Sequence, residues 1–254
     1  EEVVGAAFRA HPYRHMVIGH EADLRSMTRN DLYAHYRRFY APSNAFVVAV
    51  GDFAAGDLLA RIDARFGAMP AGEAPGGGVA QEPLQRAERR VHLRQPAATA
   101  YVRMAYHAPA ANHPDLPALL VADAVLSGGK GMGLGGGGPM GRSSRLYRAL
   151  VSGGLARSAG SDVGFHVDPH LFGFGATCLP GVEPERVEAA LDGEIARLRD
   201  DLVPEDELRR AVKQVKAQYV YSAEGVTNQA FWLGQMEIVD SWRRVDSLVP
   251  ELEG

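Results

Sequence analysis

Residues 128–141 have a composition that suits a loop gripping phosphate. Nine of these fourteen residues are glycine, Lys130 stands among them, and a G-x-G-x-x-G pattern begins at Gly131. A dinucleotide fingerprint needs a strand before its glycines and a helix directly after the first of them, and a P-loop needs Ser or Thr after its Lys. Here a helical pattern precedes the glycines, Pro139 follows them, and Gly131 follows Lys130. The stretch therefore predicts a hinge or a mobile flap rather than a nucleotide site.

Histidine pairs are the other residues that could do chemistry, as zinc ligands. His166 and His170 are four apart, but Asp168 and Pro169 between them predict a hairpin turn, and no glutamate at a suitable spacing completes a ligand set. No other histidines form an H-x-x-E-H-type or related pattern. The one cysteine, Cys178, lies in an apolar run that predicts a buried, inert thiol. We therefore predict neither metal ligands nor catalytic residues within this chain.

The bulk composition narrows the function classes further. The chain has 254 residues and a net charge of −4, with no run of Lys and Arg interleaved with aromatic residues, which argues against a nucleic-acid partner. No apolar run approaches the roughly 18 residues of a membrane-spanning helix. A single cysteine fits a periplasmic or a cytoplasmic location equally, so the compartment stays open.

The elements that would position these residues fall into two groups. In the first group, a capping box at Thr28 opens a helix that reaches Phe39, residues 45–50 predict a buried strand, and residues 57–66 predict a helix. Residues 70–83 are rich in Pro, Gly and Ala, which predicts a linker and a domain boundary.

The second group repeats this order of elements. Its predicted strands are 89–94, 99–106, 155–165 and 171–179, and its predicted helices are 114–126, 143–150, 184–198, 205–221 and 226–242. Several strands follow one another directly, so we expect an α+β fold with a mostly antiparallel sheet and helices packed on one face. The carboxylates at 183–194 and 205–207 are predicted to be solvated.

Four stretches occur in a distinctive order along the chain. They are H-P-Y at 11–13 with V-I-G at 17–19; Y-A-P-S-N-A at 40–45 running into V-G-D at 50–52; S-S-R-L-Y-R-A-L at 143–150 followed by G-L-A at 154–156; and E-D-E-L at 205–208. Together they resemble the zinc metallopeptidases of the pitrilysin/insulinase type (inverzincins), which include the mitochondrial processing peptidase. The resemblance covers nearly the whole chain.

The resemblance implies a processing-peptidase-like architecture. Two homologous α+β domains, each with a mostly antiparallel sheet and helices on one face, form half of a clamshell around an unfolded peptide. Residues 1–69 would be the C-terminal half of the first, metal-bearing type of domain, which is truncated here. Residues 70–83 would be the linker, and residues 84–254 the second domain, which carries no metal.

The family's zinc ligands are expected outside this chain. The resemblance places the H-x-x-E-H motif and a distal glutamate upstream of residue 1, where they would bind zinc and activate water. The parent protein is therefore expected to be a zinc metalloendopeptidase that cleaves short or unfolded peptides, and this segment alone is expected to be inactive.

Other readings stay open at this point. In the family, subunits that bind substrate but no zinc have an Arg and a Tyr at two positions after the R-L-Y helix. This chain has Val151 and Arg157 at those positions. The lack of the Arg/Tyr pair favours the zinc-bearing type of subunit. The alternatives are a catalytically inactive partner or scaffold subunit that binds peptide or a sister subunit, and an unrelated α+β ligand-binding domain with the glycine loop as its lid. A homodimer or a heterodimer with a sister subunit is expected in the family.

Two residues after the glycine-rich stretch are candidates for peptide binding. The resemblance places that stretch before the R-L-Y helix, beside the peptide path, which makes Arg145 and Tyr147 the candidate substrate contacts. In the alternative reading, Leu146 and Leu150 pack the helix and Arg145 is solvated.

Overall fold

A computed structural model describes residues 1–73, 76, 78–130 and 141–252. The chain divides into two units, Glu1–Val91 and His92–Gly254. The predicted flap at 128–141 lies outside the described residues except for 128–130 and 141.

The first unit is built from short helices. The helices are α1 (Glu2–Ala7), α2 (Glu21–Ser26), α3 (Arg29–Phe39) and α4 (Ala55–Phe66), with 3₁₀ turns at Pro12–Arg14 and Pro42–Asn44. The predicted capping box begins α3: the Thr28 hydroxyl accepts from the Asp31 N–H at 3.3 Å, and the Asp31 carboxylate accepts from the Thr28 N–H at 2.9 Å. This exchange satisfies two backbone groups and fixes where the helix starts.

Two strands predicted from the sequence are not formed. Residues 45–50 and 89–94 take part in no strand among the described residues. A strand is stabilised by hydrogen bonds to a neighbouring strand, and in the described ranges no strand lies beside these two segments.

The first unit keeps most of its large apolar side chains exposed. Phe8 and His11 are the only buried residues among those described in it, and they form a small aromatic cluster with Tyr13. The exposed side chains include Leu32, Tyr33, Tyr36, Tyr40, Leu59 and Phe66. Large exposed apolar patches are often found where a protein contacts a partner.

The end of the Pro/Gly-rich stretch and the segment after it are hydrogen-bonded to the backbone at the end of α1. The Glu82 carboxylate accepts backbone N–H groups of Arg9, Ala10 and His11 at 2.8–3.0 Å. Arg89 donates to the carbonyls of Ala6 and Ala7, which the helix end would otherwise leave unpaired. Burial acts to raise the pKa of Glu82, but the three N–H groups and the charge of Arg89 prevail and lower it to about 2.

This lowered pKa predicts acid sensitivity of the first unit. Because the Glu82 pKa is depressed in the folded state, its stabilising effect is complete above the ordinary value of 4.5 and is lost as the pH falls towards about 2. We expect ¹³C NMR of the Glu82 carboxyl to give a midpoint near the lower value, and Glu82→Gln to unfold with a weaker pH dependence than the wild type in this range. A midpoint close to 4.5 would show that the three N–H groups do not hold the carboxylate in solution.

The second unit contains a three-stranded antiparallel sheet with the strand order β1-β3-β2. The strands are β1 (Tyr101–Ala108), β2 (Ala156–Asp162) and β3 (His170–Cys178), and the helices are α5 (Leu116–Ser127), α6 (Pro184–Asp200), α7 (Glu205–Ser222), α8 (Val226–Val239) and α9 (Arg244–Glu251). The α+β class and the antiparallel sheet are confirmed.

Apolar residues of one sheet face form the core under the helices. The register aligns Val102 with Ala176, and Ala176 with Ala159, and all three are buried with Leu150 and Leu191. Residues of the opposite face are more exposed, as Tyr101 and Arg103 show. Helices therefore pack on one face of this sheet, as predicted, and a second cluster lies among α5, α7 and α8.

Cys178 ends β3 and is 1% exposed. Burial raises the pKa of its thiol, which keeps it protonated at neutral pH. The prediction of a buried, unreactive thiol agrees with this position.

Candidate functional site

The two described ends of the glycine-rich stretch lie side by side at the end of α5. The Gly141 N–H donates to the Ser127 carbonyl at 3.3 Å, and a Cβ on Gly128 would lie 3.0 Å from the Gly141 nitrogen. Gly128 has a φ of +84°, a conformation that glycine adopts without strain. The Gly129 N–H donates to the Gln214 side chain of α7 at 3.1 Å. Gly128 and Gly141, near the two described ends of the stretch, are thus in contact.

A partly buried polar network anchors the first of these ends. The Lys130 ammonium donates to both Asp123 carboxylate oxygens at 2.8 and 2.7 Å and to the Ser161 carbonyl. Ser161 donates through its hydroxyl to Asp123 at 2.6 Å and through its N–H to the Ser127 hydroxyl at 2.7 Å. The three partners occupy all three protons of Lys130. Lys130 therefore ties this end of the stretch to α5 and β2.

The paired ends predict that the loop can be shortened at little cost. Replacing residues 131–140 with Gly-Ser would leave the anchors at Lys130 and Gly141 in place, and a shorter closed loop costs less entropy. We expect the melting temperature to change by no more than about 2 °C. Lys130→Met is the comparison, because it leaves the Asp123 carboxylate without its ion pair and should lower the melting temperature clearly. A larger loss on shortening than with Lys130→Met would contradict the prediction.

A π-helical turn follows, at Tyr147–Ser152, where the sequence predicts an ordinary short helix. The Leu155 N–H donates to the Leu150 carbonyl at 2.9 Å, across five residues. Gly153 permits this wide turn, because a Cβ there would lie 2.2 Å from the Ala149 carbonyl oxygen. Single π-helical turns are rare and often occur at functional sites.

Arg145 precedes this turn and binds Glu207 in the first turn of α7. Its guanidinium is 6% exposed and donates to the Glu207 carboxylate through Nε at 3.1 Å and through Nη2 at 2.6 Å. These hydrogen bonds raise the pKa of Arg145 and lower the pKa of Glu207. The prediction of a solvated carboxylate at Glu207 and the alternative in which Arg145 is solvated are therefore wrong. The two residues are 62 apart in sequence and form a nearly buried ion pair. Glu194 on α6 is likewise buried instead of solvated, with 8% of the residue exposed.

The structure brings both candidate peptide contacts to one turn but in different surroundings. The Arg145 guanidinium is buried and paired with the Glu207 carboxylate, whereas the Tyr147 side chain is half-buried. Val151 is half-buried on the same turn, and Arg157 is exposed where β2 departs from regular pairing with β3. A peptide-binding role for Arg145 and Tyr147 stays a prediction.

The described residues do not fit a zinc site. Across the part of the chain that the structure describes, no group of three or more His, Cys, Asp or Glu side chains could hold a metal ion. His166 and His170 stack at 3.8 Å between ring centroids, His166 in the turn between β2 and β3 and His170 at the start of β3. Burial lowers the pKa of His166.

No helix in the described ranges is both long and apolar enough to span a bilayer.

The sequence matches the profile of the family described as the peptidase M16 inactive domain over residues 26–215. No curated protein matches the chain well enough to count as a relative.

Two solved structures share the fold over nearly the whole chain, and a third shares it over part of the chain. A protease from Helicobacter pylori is 22% identical, with a TM-score of 0.88 over 99% of this chain and 59% of its own. A peptidase M16 inactive domain from Pseudomonas fluorescens is 19% identical, with a TM-score of 0.81 over 99% of this chain and 57% of its own. The inactive peptidase domain of a candidate zinc protease from Bordetella parapertussis is 25% identical, with a TM-score of 0.54 over 64% of this chain and 82% of its own. The chain thus spans less than two thirds of the length of the first two.

Proposed function

Because the chain belongs to the family described as the peptidase M16 inactive domain, we propose that it is the non-catalytic part of a zinc-dependent metalloendopeptidase subunit. The observation that carries this proposal is the family match, which extends from α2 in the first unit to α7 in the second. The Bordetella parapertussis relative is likewise the inactive peptidase domain of a candidate zinc protease.

The exposed apolar surface of the first unit supports a larger parent protein. Tyr33 and Tyr36 on α3 are 54% and 52% exposed, and Leu59 and Phe66 on α4 are 65% and 55% exposed. Side chains of this size are stabilised by burial. We propose that the remaining part of the parent covers them and supplies strands beside residues 45–50.

The parent would carry the chemistry. In this proposal zinc is held by an H-x-x-E-H motif and a distal glutamate upstream of residue 1, where it would activate water for peptide hydrolysis. The second unit would contribute to a chamber for short or unfolded peptides. The half-buried Tyr147 is the more accessible of the two proposed peptide contacts, and Arg145 would position the turn that presents it.

The decisive experiment compares the complete parent protein with this chain. The parent should contain about one zinc per subunit and hydrolyse a quenched fluorescent peptide in a chelator-sensitive way, and Gln in place of the glutamate of H-x-x-E-H should abolish that hydrolysis while zinc stays bound. This chain alone, with added zinc, should show no hydrolysis. Chelator-sensitive hydrolysis by the chain alone, or a parent without zinc, would contradict the proposal.

A second candidate is an inactive partner or scaffold subunit of the same fold. The family's description as an inactive domain is equally consistent with this candidate. Such a protein would bind peptide or a sister subunit, as a homodimer or heterodimer, without cleaving. A parent sequence that lacks both zinc-binding histidines, together with peptide binding but no hydrolysis, would establish this candidate over the first.

A further inference from the structure

The sheet face that the helices leave open has a floor of glycine in β3. Gly173 and Gly175 lie on this face, because Phe174 and Ala176 are buried in the core on the other face. At these two positions the strand has no side chains of its own. Groups from elsewhere can therefore lie directly on its backbone, which is one of the uses of glycine inside a strand.

Two charged side chains from the neighbouring strands lie on this floor. The register pairs Gly175 with Arg103 of β1 and Gly173 with Asp162 of β2. A Cβ on Gly175 would overlap Nη1 of Arg103, and a Cβ on Gly173 would lie 3.0 Å from Oδ1 of Asp162. The guanidinium therefore occupies the space of a side chain at position 175, and the carboxylate borders the corresponding space at position 173.

Both charges are available to a ligand. Arg103 and Asp162 are exposed, and within the described ranges neither side chain makes a hydrogen bond or an ion pair. The charges of Asp162 and His166 interact, but burial lowers the pKa of the imidazole, which is therefore neutral at about pH 7.5. Because the two glycines are two residues apart in one strand, the guanidinium and the carboxylate are separated by about 7 Å.

This separation equals the spacing of alternate side chains in an extended peptide. Residues i and i+2 of a strand lie on the same face about 7 Å apart. A peptide over the glycine floor would thus place one acidic side chain at Arg103 and, two residues away, one basic side chain at Asp162. A ligand with a single charge would satisfy only one of the two groups.

We propose that this face binds an extended peptide segment in which an acidic and a basic residue are two positions apart. The Arg103 guanidinium would donate to the acidic side chain through two parallel N–H groups, and the Asp162 carboxylate would accept from the basic one. The inference rests on the proposed function, because such a segment would belong to a substrate of the parent. Binding to this chain can nevertheless be measured without hydrolysis.

Two peptides of identical composition test the spacing. Acetyl-T-V-T-E-T-K-V-T-amide has its charged residues two apart, and acetyl-T-V-T-E-T-V-K-T-amide has them three apart, on opposite faces of a strand. Selective ¹⁵N-glycine labelling follows binding through the amide signals of Gly173 and Gly175. We expect saturable shifts at low salt with a dissociation constant of about 0.5 mM for the first peptide. The second should bind about threefold more weakly, because it can form only one of the two exposed ion pairs at a time.

Three variants test the residues. Arg103→Gln should make the two peptides bind equally. Gly175→Ala should have the same effect although the charge is kept, because the new methyl group displaces the guanidinium. Its melting temperature should not fall, since alanine is less costly than glycine in a strand. The matched control is Arg209→Gln on α7, where the arginine is also exposed, and it should leave the preference unchanged.

Equal binding of the two peptides by the unchanged chain, or a preference that survives Arg103→Gln, would overturn the inference. So would shifts at other glycines with none at Gly173 and Gly175. A parent that hydrolyses peptide, together with a chain that shows no preference, would overturn this inference and leave the proposed function intact. A clear preference together with a parent that lacks zinc and hydrolysis would support peptide binding on this face and overturn the proposed function.

Discussion

Replacing Trp232 with Ala is expected to lower the free energy of unfolding by about 4 kcal/mol. The indole is 2% exposed, and its ring contacts Phe165 and Tyr219, with 5.9 and 5.4 Å between centroids. Its N–H donates to the Ser222 hydroxyl at 2.9 Å. Truncation would remove the largest buried side chain of the helical core and leave a cavity that the surrounding helices fill only in part.

Urea unfolding followed by far-UV circular dichroism measures this loss. The matched control is Trp242→Ala, because that indole is 44% exposed and should cost less than about 1 kcal/mol. Equal losses for the two variants would show that burial of Trp232 does not stabilise the second unit.

Replacing Glu207 with Ala is expected to cost about 2–3 kcal/mol. The variant leaves the Arg145 guanidinium, which is 6% exposed, without its bidentate carboxylate. A buried charge that loses its partner is strongly destabilising, and partial access of water to Glu207, which is 15% exposed, keeps the value below the upper end of the known range.

The double variant Arg145→Met, Glu207→Leu separates two contributions to stability. One is the contribution of the ion pair, and the other is the cost of a buried charge left without its partner. It should recover most of the loss, because apolar side chains of similar size can replace a buried pair. The control is Glu205→Ala, whose partner Arg209 is exposed on the same helix, and it should cost less than about 0.5 kcal/mol. If the double variant is no more stable than Glu207→Ala, the pair itself supplies the stability.

Local sequence signals predicted most of the elements. The Thr28 capping box, the apolar spacing of α6 and α7, and the turn residues between β2 and β3 each act within a few positions, so the chain alone contains the information. The strand predicted at 45–50 is apolar enough, but a strand also needs a neighbour, and the described part of the chain offers none. The prediction of a buried strand is therefore wrong on both counts, since Phe46 and Val47 are 50% and 67% exposed.

The candidate site depends on contacts between distant residues, which the sequence does not reveal. Arg145 and Glu207 are 62 residues apart, and nothing near either one indicates that they meet. Lys130 and Asp123 are seven apart, but their pairing depends on how the chain leaves α5 at Gly128 and on Ser161 of β2. The π-helical turn at Tyr147–Ser152 likewise has a sequence that an ordinary helix would accept, apart from Gly153.

That π-helical turn has a consequence for how the sequence can vary in length. An ordinary helix rotates by about 100° per residue, so removing one residue between Arg145 and Gly154 would turn the guanidinium away from Glu207 or move Leu150 out of the core. Gly141 contacts Ser127 and Gly128, so we expect the length of the stretch between Lys130 and Gly141 to vary without moving these contacts. In an alignment of related chains, insertions and deletions should therefore accumulate before Arg142 and be absent from the ten residues that follow Ser144.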